Sequence, residues 1–252
     1  MVLKCRICGK HIEASLGAKV AECIECDVLY RDISKLEIIF ADVDDKNGED
    51  IPNNAFPLSA TKGEIIDFGR YDQDDGIQPI SWLVLDVRDG KALLLSQKAL
   101  EARHYHNRSG SVTWEKCDLR KWLNGDFYNQ AFREAEKERI LETHVIAHRH
   151  PSFPTVNSGN DTYDRVFCLS LSEVKKYFSS NSKRRCQATE HAENRGAWID
   201  KQRNCYWWLR TPGSSLAVAA GIKENGEESY DTVKHSSGQC LRAVRPAIWI
   251  RT

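Results

Sequence analysis

Ile80-Ser-Trp-Leu-Val-Leu-Asp-Val-Arg-Asp-Gly-Lys-Ala-Leu-Leu-Leu-Ser96 reads as two strands around one tight turn. The runs Ile80–Asp86 and Lys91–Ser96 are rich in β-branched, aromatic and leucine side chains. Between them Asp89-Gly90 tolerates positive φ, which a two-residue hairpin turn demands. Working outward, three later stretches have the same character: Tyr206-Trp-Trp-Leu-Arg210, Ala217-Val-Ala-Ala-Gly-Ile222 and Ala243-Val-Arg-Pro-Ala-Ile-Trp-Ile250. The turn-rich segments Pro212-Gly-Ser-Ser215 and Glu224-Asn-Gly-Glu227 separate them.

Helical periodicity lies between these β blocks. Thr113 is placed to cap a helix carrying Trp114, Cys117, Trp122 and Leu123 on one face, which Asn124-Gly125 is expected to stop. Asp126 would cap a second helix, with Phe127, Ala131, Phe132 and Ala135 at helical spacing. Val166-Phe-Cys-Leu-Ser170 reads as a short buried strand. Ser170-Leu-Ser-Glu173 is a capping box opening a helix that packs through Val174, Tyr177 and Phe178. Strands at both ends enclosing helices give an α+β fold class.

The N-terminal end is different in kind. Cys5-x-x-Cys8 and Cys23-x-x-Cys26 are two knuckles separated by fourteen residues, the spacing of a four-thiolate tetrahedral site. Such a site closes the coordination shell, so the zinc is structural and supplies folding energy that so short a segment cannot draw from a core. The rival reading, two redox dithiols, expects a thioredoxin-like βαβ context that the flanking sequence lacks. His11 is a bystander. The organisation expected is a zinc ribbon over 1–40, an acidic, turn-rich linker over 41–62 and a main domain over 63–252.

Composition narrows the partners. The chain has 252 residues, with 36 basic and 36 acidic side chains, so it lacks the net positive charge on which phosphate-backbone or anionic-lipid binding usually relies. No nucleic acid and no membrane are expected as partners, and the composition, 41% apolar and 29% charged, is that of a folded globular protein. Cysteines stand where a signal peptide would place an apolar run, and the five beyond the paired four (Cys117, Cys168, Cys186, Cys205, Cys240) are scattered. A cytoplasmic location is the expectation.

From about Glu64 to Ile250 a series of motifs recurs in order: Phe68-Gly-Arg-Tyr71, Ile80–Asp86, Ala92-Leu-Leu-Leu-Ser96, Thr113-Trp-Glu-Lys-Cys-Asp-Leu-Arg-Lys-Trp-Leu-Asn124, Val166–Ser170, Trp207-Trp-Leu-Arg-Thr-Pro-Gly213 and Val244-Arg-Pro-Ala247. In these the chain resembles a family of bacterial domains of unknown function common in Firmicutes. That family is similar to C-type-lectin-like folds, among them the formylglycine-generating-enzyme-like domains and the variable proteins of diversity-generating retroelements. The resemblance implies a mixed sheet with packed helices, paired N- and C-terminal strands, and a ligand-binding face on loops between Tyr206 and Cys240.

Candidate site residues follow from that face. Trp207 and Trp208 alternate sides on a strand, so one ring enters the core while the other is a candidate stacking platform; packing is the commoner use of such rings. Arg210, Arg242 and Arg245 are candidates to gather near Pro212-Gly213 and hold an anion, the commoner use being a structural salt bridge to an acid such as Glu115 or Asp118. His144, His148 and His150, with His104 and His106, invite a metal hypothesis, but Pro151 ends any helix there and no metalloprotease spacing is present. Asn157-Ser-Gly-Asn-Asp-Thr-Tyr-Asp164 reads as an Asx-stabilised turn in preference to a calcium loop. No Ser, His and Asp are anchored as a triad.

The leading expectation is a non-catalytic protein that binds an unknown protein or small ligand through its C-terminal loops, a candidate target protein of a retroelement. Two alternatives stand beside it. One is an enzyme related to the formylglycine-generating group, acting through Cys205 or Cys240. The other is an adaptor whose working part is the zinc ribbon.

Overall fold

The computed structural model describes residues 60–234 and 241–252, together with the backbone of five short strands before them. The chain divides into two units, Met1–Phe56 and Pro57–Thr252.

In the first unit β1 (Val2–Lys4) pairs antiparallel with β2 (His11–Glu13) and with β5 (Glu37–Ile38). Strands β3 (Ala21–Cys23) and β4 (Val28–Tyr30) form a separate antiparallel pair. Of the four zinc-ligand candidates, Cys23 ends β3, while Cys5, Cys8 and Cys26 lie outside the described residues.

The second unit is mixed α+β, built on two sheets that share continuous chain. The first holds β6 (Ile65–Asp72), β7 (Ile77–Arg88), β8 (Lys91–Ser96) and the last strand, β16 (Ala247–Arg251), in the antiparallel order β16-β8-β7-β6. The β7–β8 hairpin is the expected one. Arg88 faces Lys91, with φ of 50° at Asp89 and 66° at Gly90, the positive pair of a type I′ turn. First and last strands of the unit do not pair, contrary to what the lectin-like resemblance implies. That hairpin lies between them, putting β6 and β16 at opposite edges.

The second sheet takes β9 (Glu101–Arg103), β12 (Trp207–Pro212), β13 (Val218–Ile222), β14 (Glu228–Thr232) and β15 (Arg242–Val244) in the order β14-β13-β12-β15-β9. β12 and β15 run parallel and the other pairs antiparallel. The chain crosses from sheet to sheet twice, from β8 to β9 and from β15 to β16, and the two crossings stay joined through Ser96 N to Pro246 O (2.9 Å) and Leu100 N to Val244 O (2.9 Å). Pro246 sits at the switch, where its missing N–H breaks no ladder. Register shifts in β6 and β7 add the bends that curl the first sheet.

Between the sheets' strands lie α1 (Asp118–Trp122), α2 (Tyr128–Ala131), α3 (Glu134–Lys137), β10 (Thr143–Val145) paired with β11 (Thr162–Asp164), α4 (Leu171–Tyr177), α5 (Asn181–Arg184) and α6 (Glu190–Asn194). Several local expectations need correction. Thr113 makes no side-chain cap; Cys117 caps α1, its Sγ accepting from Arg120 N at 3.4 Å. Asn124-Gly125 does not stop the helix, which widens into a π turn over Leu123–Phe127 and continues as α2, so Asp126 lies within the turn and does not cap α2. The reason is tertiary: Asn124 Oδ1 accepts from Arg165 N (2.8 Å) and Val166 N (3.2 Å), while its Nδ2 donates to Val166 O (2.8 Å). Those bonds hold Asn124 inside the helix and, in the same stroke, keep Val166–Ser170 from being a strand. That segment joins β16 only by the Phe167–Ala247 bridge. Ala135, expected on a buried face, is exposed, because the chain extends at Phe132 before α3 begins.

The core is aromatic. Trp82, Trp207, Trp208, Tyr105, Phe127 and Phe167 are all fully buried. Among the described residues no helix is long and apolar enough to cross a membrane.

Candidate functional site

The Ser170–Glu173 capping box forms as read: Glu173 N donates to Ser170 Oγ (3.2 Å) and Ser170 N to Glu173 Oε2 (2.7 Å). It fixes the Glu173 carboxylate at the start of α4, where Arg210 of β12 reaches it with two nitrogens, Nη1 to Oε2 at 2.5 Å and Nη2 to Oε1 at 3.0 Å. Arg210 also donates to Cys168 O (2.8 Å) and Ile146 O (3.3 Å) and is 4% exposed. Burial pushes the Glu173 carboxyl upward, but Arg210's charge and the hydrogen bonds from Arg210 and Ser170 outweigh it, so the group titrates below the usual carboxylate range.

This pair forms part of the wall of an open groove of about 340 Å³. Leu93, Phe167 and Trp249 supply its apolar surface, and Thr143–Ile146, His148 and α4 its other walls. Arg88, carried there by the hairpin register, lies over the Trp249 ring at 4.9 Å. A second hollow of about 200 Å³ shares Arg88, Thr143, His144 and Trp249 and adds Lys91, Leu141 and Glu142. Lys176 stands on the α4 rim beside Tyr177 Oη (3.2 Å) and pairs with Asp86 Oδ2 at 3.6 Å. His144 Nε2 meets Asp161 Oδ2 at 3.0 Å, and His148 Nδ1 is buried with no partner among the described residues. The groove therefore joins an aromatic surface to a rim of mixed charge on which Arg88 is the cation without a carboxylate partner among the described residues, while Arg210 is occupied by Glu173 and Lys176 by Asp86.

The other candidates fall elsewhere. Trp207 and Trp208 are both fully buried because β12 is covered on both faces; their indole N–H groups donate to Arg184 O (3.2 Å) and Arg103 O (2.9 Å). The three arginines are not brought together. Arg242 Nε pairs with Asp231 Oδ2 (2.6 Å) and stacks on Tyr206, whereas Arg245 lies over Trp207 and donates to Ser96 O (2.9 Å). None takes Glu115 or Asp118 as its acid; Glu115 accepts from Asn160, and Asp118 from Lys121 and Asn107 N, with His106 Nδ1 at 2.7 Å. His144 is on a strand, not a helix. Gly159 N donates to Asn157 Oδ1 (3.0 Å), the expected Asx turn, and this loop lines a third cleft, of about 500 Å³, with Thr113, Glu115 and Leu216. Cys205 is fully buried and Cys240 lies outside the described residues.

Two arrangements escaped the sequence reading. The groove draws on positions from Arg88 to Trp249, and no local pattern links them. A buried Asp164 collects Arg120 Nε (2.6 Å), Trp114 Nε1 (3.0 Å) and Thr162 Oγ1 (2.7 Å), which accounts for the Trp and Arg of the Thr113–Asn124 motif as structural groups.

Residues 89–252 match the family described as a domain of unknown function, DUF6273, about two thirds of the chain, and the protein belongs to that family. The match begins inside the β7–β8 turn, so β6 and β7 complete its sheet from outside the matched region. No curated protein and no solved structure matches the chain.

Proposed function

We propose that the DUF6273 domain is a non-catalytic binding module whose ligand seats in the groove beside Arg210. The ligand carries an anionic group toward Arg88 and Lys176 and an apolar, preferably aromatic, part toward Phe167 and Trp249. The observation that carries this reading is the division of labour in the groove. Its deepest cation, Arg210, is already neutralised by Glu173, while Arg88 at the rim has no carboxylate partner among the described residues. A concave apolar surface with a few oriented polar groups is the usual form of a small-molecule site.

The first unit we read as a zinc ribbon, with Cys5, Cys8, Cys23 and Cys26 as ligands to one structural zinc. Support comes from the pairing of β1 with β2 and of β3 with β4, since each Cys-x-x-Cys pair falls at the junction of two antiparallel strands. For the second unit a C-type-lectin-like scaffold is our reading, supported by a second sheet with long connections between its strands; the edge-to-edge separation of β6 and β16 departs from that scaffold.

The test uses benzoate as a probe that combines a carboxylate with an aromatic ring, with chloride at equal ionic strength as control. At tenfold excess over Kd, binding adds about 1.4 kcal/mol to stability and raises Tm by roughly 3–5 °C. No shift with benzoate, together with turnover of a defined substrate that one groove substitution abolishes, contradicts the reading.

A further inference from the structure

Cys186 and Cys205 are brought face to face by a short antiparallel pairing outside the main sheets. Gln187 bridges Asn204, Ala188 N donates to Arg203 O (3.0 Å), and Cys205 N donates to Cys186 O (2.8 Å). Counting from the Gln187–Asn204 bridge, Cys186 is directly opposite Cys205, at a hydrogen-bonded position of the pairing of which the Cys205 N to Cys186 O bond is formed. Such pairs hold their Cα atoms about 5.5 Å apart, with both side chains on one face. A disulfide accepts Cα separations of roughly 4.4–6.8 Å. The Cys205 thiol also donates to Cys186 O, with Sγ 3.2 Å away.

A second observation makes this pair unlike the other buried thiols. Arg245 is 4% exposed, lies over the rings of Trp207 (5.1 Å) and Phe178 (5.8 Å), and has only backbone oxygens as acceptors, those of Ser96 (2.9 Å) and Gln97 (3.5 Å). Its Nη1 has no partner, and among the described residues no carboxylate pairs with it. A buried cation left this way is costly unless an anion is near. The Gln97 carbonyl that accepts from Arg245 also accepts from the Cys186 thiol at 3.7 Å, which puts that sulfur beside the guanidinium.

We propose that Cys186 and Cys205 are a redox-active dithiol that closes a cross-strand disulfide on reaction with a hydroperoxide, Cys186 attacking and Cys205 resolving. The Cys186 thiolate attacks the terminal peroxide oxygen; the O–O bond breaks, the leaving oxygen takes a proton, and Cys186 becomes a sulfenic acid. The Cys205 sulfur, giving up its proton, then attacks the Cys186 sulfur; the S–O bond breaks, water leaves and the S–S bond forms. Two thiols lose two electrons and the peroxide takes them, ending as water and an alcohol, or as two waters from hydrogen peroxide. The order of attack follows from environment. Burial raises the Cys186 pKa, but the Cys205 thiol and the charge of Arg245 overcome it and bring it down to about 7. Cys205 is held well above its ordinary value by hydrogen bonding to Cys186 and by burial. Access comes by opening the outer end of the pairing, where Gln187, Lys201 and Gln202 are exposed and Arg203 holds a left-handed φ of 63°. Oxidation removes the counter-charge of Arg245 at the crossing between the two sheets. This inference is independent of the groove.

The test takes the full chain, reduced and then treated with hydrogen peroxide, and reads tryptic peptides by mass spectrometry. Cys186 falls in the peptide 186–195 and Cys205 in 204–210. The expected product is these two peptides joined, about 2 Da lighter than their sum, and separated again by dithiothreitol. Cys117, equally buried but with its thiol pushed up to about 12 chiefly by burial, stays reduced under the same treatment. In Cys205→Ser the sulfenic acid persists at Cys186 and is trapped by dimedone, while Cys186→Ser gives no joined peptide. Recovery of both wild-type peptides as free thiols, or oxidation of Cys117 at the same rate as Cys186, overturns the proposal whether or not the variants fold.

Discussion

At the scale of single residues, Glu173 does two jobs with one carboxylate: it completes the cap of α4 and neutralises Arg210. Because its folded pKa lies below the ordinary value, the stability it contributes is fully present above the unfolded carboxylate pKa of about 4.3. That contribution is lost as pH falls through the lower, folded value. Glu173→Gln is expected to cost about 3 kcal/mol at pH 7, since it strands a buried guanidinium. The deficit relative to wild type should shrink steadily below about pH 4. Urea unfolding of both proteins from pH 7 to pH 3 checks this, and a deficit independent of pH would mean that the charge is not what matters. The cap itself was legible in the sequence, because Ser170 and Glu173 are three residues apart. Arg210 as its partner was not: that bond joins positions 37 residues apart. The same holds for Cys186 and Cys205, which read as scattered thiols until Gln187 and Asn204 are seen to pair.

At the scale of elements, the β7–β8 hairpin could be read from one stretch because its turn chemistry and its apolar runs are local. The helices after Thr113 could be read only in part. Their apolar spacing was visible, but the π turn through Asn124 depends on Val166, 42 residues away. Val166–Ser170 has the composition of a strand and yields to the same bonds. Helix α2 docks on a bend in β6 at Gly69, whose φ is 69°; a Cβ there would stand 2.6 Å from the Phe132 ring and 2.7 Å from Ala131 O. A side chain meets both a positive φ and a carbonyl that cannot move without unwinding the helix end. Gly69→Ala is expected to destabilise the protein by about 2–4 kcal/mol, read as a lower urea midpoint with an unchanged slope. Loss below about 0.5 kcal/mol would show that β6 and α2 are not docked in this way.

At the scale of the whole molecule, two kinds of stabilisation stand in one chain. The second unit buries a large aromatic core. A segment as short as the first unit lacks that resource, and in the zinc-ribbon reading proposed above the four cysteines supply the alternative. Elemental analysis of the purified full chain is expected to give about one zinc per molecule, released when Cys5 and Cys8 are both replaced by serine. Zinc retained in that variant would place the metal elsewhere. The cysteine spacing made this reading possible from sequence, as the alternation of strands and helices did for the α+β class. The groove stayed hidden because its walls come from β7, β8, β10, α4, β12 and β16, and only the crossing of chain between the two sheets assembles them.

The most direct measurement is calorimetric titration of benzoate into the wild-type chain and into Arg88→Glu/Lys176→Glu, two exposed rim substitutions that leave Arg210 and Glu173 untouched. The account predicts saturable binding to wild type, weakened at least about tenfold, or 1.4 kcal/mol, in the variant, whose Tm without probe falls only by the loss of the exposed Lys176–Asp86 pair and the Arg88–Trp249 contact. Equal affinity in the two proteins, or no saturable heat in either, would contradict it.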